Sequence, residues 1–558
     1  RGIGRLEREW RDVVLRDRNH PSIIAWSIGN ELLADEEGLT KDRVAMMADV
    51  VRKYDATRPV GLGCHIPWLA STEIYAALDL TGWNYARRYD VYRRHYPDRP
   101  IVYTESASTV STRGYYSLPL PFVKTDYAGI GQVDSYDLNA APWADIPDVE
   151  FRLMQNDAFV AGEFVWTGFD YLGEPTPFEQ EARSSYFGAV DLCGLPKDRY
   201  WLYRSQWRPS ETTLHLAPHW NWNDRVGQIV PVFAYTNAPE AELFVNGRSL
   251  GRRRKGEPPA VPRDVARDGV WTASAAVDGA GPEAVADDAL ETRWQPPAED
   301  ESPWLKVDLG QSRTIGCVHV EFPAPGQNYG VTLETSDNGR DWSTLIVKPA
   351  SDQPQWGGVN TIVCPASGRG RYLRLTLQEV RRNQPPGICE MRVYEQPVNA
   401  PYYDVTYDYR LRWDDVVYEP GELRCVAYKD GQRIAETTVR TAGAPQTLKL
   451  SADRVRLQAT GDDLCYVCVE AVDAKGVPCP LADCRVAFRI EGPADLVATG
   501  NGDPLCLEPF TESTRRLFFG KAIAIVRTRR DYPGEVRVVA DAPGLAGAET
   551  TLSVAEAE

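Results

Sequence analysis

Residues 16–33 read R-D-R-N-H-P-S-I-I-A-W-S-I-G-N-E-L-L, and this stretch predicts how the first part of the chain folds. Pro21 pushes the residue before it out of the helical region, so the preceding helical pattern ends there. Ser22 to Ile28 is a short apolar run with β-branched residues, which is typical of an interior strand of a parallel sheet. Glu31 therefore follows a buried strand, where barrel enzymes hold catalytic groups; the alternative is a glutamate that caps a helix or lies at a solvated strand end.

A second apolar run, R-P-I-V-Y-T-E at residues 99–105, also ends in a carboxylate, Glu105. Glycoside hydrolysis needs two such carboxylates: one protonates the leaving oxygen, and the other attacks the sugar or activates water. Strand-end glutamates also occur in barrels with other activities, so the pair alone only suggests this chemistry.

Three motifs in the first 175 residues resemble glycoside hydrolase family 2, and most closely its β-galactosidases with extra β-sandwich domains after the barrel. They are N-H-P-S-I-I-A-W-S-I-G-N-E (19–31), Y-T-E-S-A-S (103–108) and F-V-W-T-G-F-D-Y-L-G-E-P (164–175). The resemblance implies that Glu31 is the acid/base and Glu105 the nucleophile of a retaining enzyme. In such enzymes the two carboxyl groups lie about 5 Å apart.

The same resemblance implies three substrate-binding residues. Asn30 would bind the sugar 2-hydroxyl, Tyr85 would lie beside the nucleophile, and Trp166 would line the sugar pocket, with packing as the alternative for both aromatic residues. We also expect the charge of Glu105 and a partly dry pocket to raise the pKa of Glu31.

The chain of 558 residues is long enough for several domains. Residues 1–205 are predicted to be the C-terminal part of a catalytic (β/α)8 TIM barrel, with barrel strands 4 to 8 near 22–28, 59–63, 78–85, 101–104 and 161–166. Because barrel strands 1 to 3 are then missing, we expect the N-terminal half of the same enzyme as a partner, in another chain or fragment, and no activity from this chain alone.

After residue 200 the pattern changes to short strands with turn signals such as Asn246-Gly247. We predict an immunoglobulin-like sandwich formed by 206–260 and 398–445, split by an inserted domain at 264–396, and a second immunoglobulin-like sandwich at 446–558. The strand pattern of the first sandwich is predicted to stop after Gly251, in a basic, proline-rich stretch. The expected fold class is thus a partial TIM barrel followed by all-β sandwiches with an insertion.

The insertion resembles a discoidin-type (F5/8 type C) jelly roll of the carbohydrate-binding module family 32 kind. The motifs are W-L-K-V-D-L-G (304–310), T-S-D-N-G-R-D-W (335–342) and R-Y-L-R-L-T-L (371–377). The resemblance implies binding of galactose-type sugars and a structural calcium held by Asp287, Thr292 and Glu390, since oxygen ligands suit calcium. Asp288 stands where the usual calcium motif has glycine. No cofactor is expected for catalysis.

The net charge of −17 argues against a nucleic-acid partner, and no apolar run approaches the roughly 18 residues of a membrane span. The leading hypothesis is an exo-acting β-galactosidase on terminal β-galactosides of glycans or oligosaccharides. A β-glucuronidase or β-mannosidase of the same family, and an inactive carbohydrate-binding scaffold, are the alternatives. A second copy of the chain is a candidate partner, and secretion or a periplasmic location is expected by analogy alone.

Overall fold

The computed structural model describes the chain except for residues 1, 33–39, 67–68, 71, 86–88, 122–123, 128–129, 260–261, 288, 290–291, 324–328, 349–359, 364–367, 379–385, 397, 399–402 and 558; for 2–4, 90 and 360–363 it describes the backbone alone. The chain divides into two compact units. The first comprises Arg1–Ser108, Ala140–Trp166 and Ala260–Tyr402, and the second Thr109–Asn139, Thr167–Pro259 and Tyr403–Glu558.

A five-stranded sheet in the order β1-β2-β3-β4-β5 holds the first part of unit 1, and all of its strand pairs are parallel. Its strands are β1 (Trp26–Asn30), β2 (Val60–Cys64), β3 (Thr81–Asn84), β4 (Ile101–Ala107) and β5 (Val160–Trp166). The accompanying helices are α1 (Gly2–Asp17), α2 (Lys41–Tyr54), a 3₁₀ helix (Glu73–Ala77), α3 (Asp90–His95) and α4 (Pro147–Asn156).

The first strand begins later than the apolar run predicts. Ile24 is 70% exposed, and the backbone N–H of Ile23 donates to the carbonyl of His20 in a turn. Pairing starts only at Trp26, whose indole N–H donates to Asp55 Oδ2 at 3.0 Å, and it continues to Asn30. An apolar run can thus include exposed turn residues, because apolar side chains also contribute to the surface of a folded protein.

The inserted segment of unit 1 forms two antiparallel sheets, β10-β11-β16-β13-β14 and β15-β12-β17. Side chains of both sheets, Leu305 and Val318 among them, share one buried core with Trp294. The strands are β10 (Val270–Ala273), β11 (Trp304–Thr314), β12 (Cys317–Glu321), β13 (Gly330–Ser336), β14 (Ser343–Lys348), β15 (Asn360–Val363), β16 (Arg369–Gln378) and β17 (Glu390–Tyr394), with a 3₁₀ helix at Pro282–Ala286.

In unit 2, strands from both sides of the insertion pair in the sheets β18-β7-β6 and β20-β19-β8-β9. The elements are α5 (Asp198–Trp207), β6 (Leu214–Ala217), a 3₁₀ helix (Asn223–Arg225), β7 (Val232–Thr236), β8 (Glu240–Val245), β9 (Arg248–Arg254), α6 (Thr406–Tyr409), β18 (Arg410–Trp413), β19 (Glu422–Lys429) and β20 (Gln432–Arg440). The predicted end of the strand pattern at Gly251 is wrong: β9 continues to Arg254, because its arginines pair with Glu240 on the neighbouring strand.

The C-terminal part of unit 2 consists of the sheets β21-β23-β27-β25 and β22-β29-β28-β24-β26. Cys465 is buried in β23 and Cys468 is half-buried, on alternating faces of the strand. The strands are β21 (Thr447–Ala452), β22 (Arg456–Gln458), β23 (Leu464–Val472), β24 (Arg485–Glu491), β25 (Ala494–Gly500), β26 (Thr514–Arg516), β27 (Lys521–Thr528), β28 (Gly534–Asp541) and β29 (Ala548–Ala555).

Two segments that we placed with the barrel, 109–139 and 167–205, belong to unit 2 and carry buried charges there. Arg113 donates to Asp191 at 2.6 Å and to the carbonyls of Asn501 and Phe518, so the first segment is anchored on the C-terminal sandwich. Lys197 is buried and donates to Asp170. Asp170 therefore neutralises a buried ammonium group, and removing either partner would leave an unpaired buried charge. Among the described helices, none is long and apolar enough to span a membrane.

Candidate active site

The site residues of unit 1 gather where the strands of the parallel sheet end. Asn30 ends β1 and Glu31 follows it, Asn84 ends β3 and Tyr85 follows it, and Glu105 lies in β4 paired with Asn84. Carboxyl ends of parallel strands meet at one edge of a sheet, which is where barrel enzymes place their reactive groups. The two predicted catalytic carboxylates thus share one polar cluster.

Glu105 is held by two hydrogen bonds that it accepts. The Asn30 amide donates to Oε1 at 2.8 Å, and the Tyr85 hydroxyl donates to Oε2 at 2.5 Å. Burial, and next the charge of Glu105, raise the pKa of the Tyr85 hydroxyl far above its usual range, so this group keeps its proton. Both contacts stabilise the ionised form of Glu105, the form that a nucleophile requires.

Asn84 links the two carboxylates and was not identified from the sequence. It is fully buried, and its amide group donates to Asn30 Oδ1 at 2.9 Å and to Glu31 Oε1 at 3.0 Å. The Thr104 hydroxyl donates to Asn84 Oδ1 at 2.5 Å and so orients the amide. The cluster lies directly over Gly63, where an added Cβ would stand 2.5 Å from Asn30 Oδ1. Glycine is required there because any side chain would displace the cluster.

Glu31 also contacts His65, a second residue that the sequence did not reveal. His65 Nδ1 lies 3.1 Å from Glu31 Oε1. Hydrogen bonding by His65 is the main cause that lowers the pKa of Glu31, Asn84 adds to it, and burial opposes both. The expected upward shift of this pKa is therefore wrong for the free site. A hydrogen-bonding partner in direct contact outweighs a partly dry environment.

The backbone adopts a left-handed conformation at two of these residues. Glu31 has φ 48° and Tyr85 has φ 51°, a region that non-glycine residues rarely occupy. At these turns the N–H of Glu31 donates to the carbonyl of Gly63, and the N–H of Tyr85 donates to the carbonyl of Glu105. These hydrogen bonds continue the sheet past its strand ends. They offset the cost of the left-handed backbone, which orients the two side chains towards the cluster.

Trp166, the third predicted substrate-binding residue, ends β5 and pairs with Ala107, two residues beyond Glu105. It is half-buried, which leaves part of its ring system exposed. Trp166 is the last residue of this segment of unit 1, and the chain enters unit 2 at Thr167. A ring at this edge of the sheet has the position and exposure for stacking on a sugar, and the predicted role in a sugar pocket stays a prediction.

The three predicted calcium ligands come together in the insertion. The Thr292 hydroxyl donates to Asp287 Oδ2 at 2.7 Å, and this bond is the main cause that lowers the pKa of Asp287; Glu390 contributes to the same shift. Glu390 also pairs with Arg392 at 3.2 Å. Asp288 lies outside the described residues. Within the described ranges, no group of three or more His, Cys, Asp or Glu side chains is placed to hold a metal ion.

His65 and Asn84 could have been found from the predicted strand order. His65 directly follows β2 and Asn84 ends β3, so each lies within two residues of a predicted strand end. The rule that such ends share one edge of the sheet applies to every polar residue there, and not to carboxylates alone. The sequence offers no sign of which of them contacts which carboxylate.

Replacing Asn84 with alanine tests the link between the carboxylates. We expect kcat/KM to fall by about 10- to 100-fold, because Glu31 and Glu105 lose a shared orienting group. We also expect the free energy of unfolding to fall by about 1–3 kcal/mol, since Asn30 and Thr104 lose buried partners. Asn221, whose amide bonds to Ala442, is a matched control: Asn221→Ala should destabilise the protein without loss of activity in the folded fraction. Equal activity losses in the two variants would contradict a specific role for Asn84.

Four family profiles match the chain. Residues 6–130 match the glycosyl hydrolases family 2 TIM barrel domain, and 448–551 match glycoside hydrolase family 2 C-terminal domain 5. Residues 265–392 match the F5/8 type C domain, and 227–273 with 395–435 match a domain of unknown function, DUF4982. The F5/8 type C match interrupts this last match, just as the insertion interrupts the sandwich of unit 2.

Several characterised proteins are similar to the chain. A β-galactosidase of Bacteroides ovatus is 28% identical over 598 residues, which cover 99% of this chain and 52% of the relative. A β-glucuronidase of Formosa agariphila is 25% identical over 250 residues, which cover 44% of this chain and 23% of the relative. The chain thus spans about half the length of the β-galactosidase, and less of the β-glucuronidase.

Solved structures share the fold. A glycosyl hydrolase family 2 member from Bacteroides cellulosilyticus superposes with a TM-score of 0.58 at 22% identity, covering 98% of this chain and 51% of that one. A β-glycosidase from Bacteroides vulgatus superposes with a TM-score of 0.61 at 21% identity, covering 97% and 52%. Residues 6–130 and 448–551 therefore match domains of glycoside hydrolase family 2, residues 265–392 match an F5/8 type C domain, and the chain is homologous to β-galactosidases of that family.

Proposed function

We propose that this chain supplies both catalytic carboxylates of a retaining exo-β-glycosidase that acts on terminal β-galactosides of glycans or oligosaccharides. The observation that carries the proposal is the polar cluster in which Asn30 and Asn84 span the gap between Glu105 and Glu31. Two carboxylates linked through two amide side chains in one cluster support a retaining mechanism, which needs two carboxyl groups about 5 Å apart on one sugar.

In the proposed mechanism Glu105 attacks the anomeric carbon while Glu31 protonates the glycosidic oxygen, so that the bond to the leaving group breaks. Water then attacks the glycosyl-enzyme and gives its proton to Glu31. Two inversions leave the product in the β configuration. Asn30, which donates to Glu105 in the free site, is placed to exchange this bond for one to the sugar 2-hydroxyl. Tyr85 continues to orient Glu105.

We also propose that the five-stranded sheet is the second half of a (β/α)8 barrel, strands 4 to 8. The support is that its strands are parallel and follow each other in chain order, as in a barrel wall. The first half would then come from further residues of the enzyme or from a separate chain. Activity should therefore be measured on the complete polypeptide, with any residues that precede Arg1.

The test of substrate class is an assay of nitrophenyl β-galactoside, β-glucuronide and β-mannoside. Cleavage of the galactoside alone is the expected result, and it would agree with the similarity to a β-galactosidase over 99% of this chain. The similarity of 44% of the chain to a β-glucuronidase makes cleavage of the glucuronide the second candidate. A folded protein that cleaves none of the three would contradict the proposed activity and favour a carbohydrate-binding scaffold.

Calcium binding by the inserted domain is a separate proposal. Two carboxylates and a hydroxyl, from Asp287, Glu390 and Thr292, fit the preference of calcium for oxygen, and backbone carbonyls would complete the ligand shell. We expect saturating calcium to raise the melting temperature of this domain by about 5–10 °C relative to a chelator, because a ligand at about 100 times its Kd contributes about 2.7 kcal/mol. Asp287→Ala should remove the shift.

Asp268→Ala is the matched control for the calcium experiment, since Asp268 is exposed and pairs with Arg263 at the surface. This variant should keep the whole calcium-dependent shift. A wild-type melting temperature that is the same in calcium and in chelator would contradict the proposal.

A further inference from the structure

We propose that His65 is a positioning residue that stores the proton which Glu31 delivers to the glycosidic oxygen. This inference rests on the glycosidase function proposed above and deepens it. His65 lies directly after β2. The two-carboxylate mechanism described above gives this residue no role.

The contact itself is direct. His65 Nδ1 lies 3.1 Å from Glu31 Oε1, with 43% of the histidine side chain and 36% of the glutamate side chain exposed. The same Glu31 oxygen accepts a hydrogen bond from Asn84, so its position relative to the ring is set from two sides. A half-exposed pair of this kind can both exchange protons with solvent and meet a substrate.

Two carboxylates act on His65 among the described residues. Glu31 raises the pKa of His65 most, by its hydrogen bond and then by its charge, while burial opposes; the charge of Glu105 on β4 adds a smaller upward shift. The other groups at this edge, Asn84 and the Tyr85 hydroxyl, are neutral. The geometry of the free site therefore favours a proton held between His65 Nδ1 and Glu31 Oε1, beside the second carboxylate, Glu105.

The proton balance follows from this pair. The proton on His65 Nδ1 moves to Glu31, which leaves a neutral imidazole with its other proton on Nε2. Glu31 then passes the proton to the glycosidic oxygen as the bond to the leaving group breaks. In the second step the attacking water gives a proton back to Glu31, which restores the starting count. No further acid or base is needed.

The pair predicts where activity is lost at high pH. Two groups that share a proton titrate together, and the acid is lost only when the pair loses that proton. For the pair this occurs above the ordinary histidine value of about 6.5, whereas a lone glutamate loses its proton nearer to about 4.3. Burial and the charge of Glu105 would raise the pKa of a lone Glu31 above the ordinary glutamate value. Without His65, the alkaline limit of kcat/KM must still move to lower pH.

The experiment measures kcat/KM against pH for wild type and His65→Gln, with two aryl glycosides of whichever sugar the enzyme cleaves. One has a poor leaving group that needs protonation, and the other an activated leaving group that does not. For the poor leaving group, His65→Gln should move the alkaline limit down by about 1–2 units and keep near-wild-type rates at acidic pH. For the activated leaving group the alkaline limit should not move. His95→Gln, the same change on the exposed end of α3, should match wild type.

A uniform loss of rate at every pH, or an alkaline limit that moves for both leaving groups or for neither, would overturn the proposal. If His65→Gln does not fold, wild type still tests it: the alkaline limit for the poor leaving group must lie above about 6.5, and a limit near that of a lone carboxyl group would refute it. Failure of the proposed function looks different, since wild type would then cleave neither aryl glycoside at any pH.

Discussion

Glu105→Gln is expected to lower kcat by about 10⁴- to 10⁶-fold on every aryl glycoside that the enzyme cleaves. The amide has nearly the same shape as the carboxylate and can still accept one of the hydrogen bonds from Asn30 and Tyr85. It cannot form the glycosyl-enzyme, because an amide is a poor nucleophile at an anomeric carbon. A substrate with an activated leaving group should not restore the rate, since the reaction needs the nucleophile Glu105 whatever the leaving group.

Two further variants make this prediction specific. Glu73→Gln removes an exposed carboxylate that pairs with Lys41 at the surface, and it should leave kcat unchanged. Glu105→Ala in the presence of azide should regain activity and form the α-glycosyl azide, because azide then attacks the face that the nucleophile occupied. Formation of the β-glycosyl azide by this variant would assign Glu105 to the acid/base role and contradict the proposed mechanism.

Glu31→Gln is expected to lower kcat/KM by about 10²- to 10⁴-fold for poor leaving groups and to leave dinitrophenyl glycosides nearly unaffected. The reason is that a good leaving group departs without a proton, so the first step no longer needs Glu31. The second step still needs a general base, and the glycosyl-enzyme should therefore accumulate. A pre-steady-state burst of the released phenol measures this accumulation.

Azide also distinguishes the roles of the two carboxylates. With Glu31→Ala it should react with the glycosyl-enzyme to form the β-glycosyl azide, the opposite stereochemistry to that expected for Glu105→Ala. Equal losses of rate on good and poor leaving groups would mean that Glu31 is not the acid. The pair of results tests the two roles independently of the identity of the sugar.

Asn84 and His65 change how the acid/base should be understood. From the sequence, Glu31 is expected to be a carboxyl group that keeps its own proton because it lies near Glu105. The structure instead surrounds Glu31 with donors, an amide and an imidazole, which lower its pKa. The proton that catalysis needs is then held by the contact with His65, and a bound substrate can draw it onto Glu31. The arrangement resolves the conflict between an ionised free site and an acid catalyst.

The sequence by itself determined several strands of unit 1 and the two candidate carboxylates. The predicted strands near 59–63 and 161–166 agree with β2 and β5 within one residue at each end. Local patterns suffice here because burial of one helix face or of a whole strand depends on nearby residues. Family motifs then placed Glu31 and Glu105 at strand ends.

Only the tertiary structure decided which polar groups meet. Asn30, Asn84 and Glu105 come from three different strands, and Gly63 on a fourth leaves the space that they fill. The direction of the Glu31 pKa shift likewise depends on His65, which lies 34 residues away in the chain and 3.1 Å away in space. Electrostatic effects act over a few ångströms between groups that no local pattern connects, and for this reason the protonation of the site follows from its geometry.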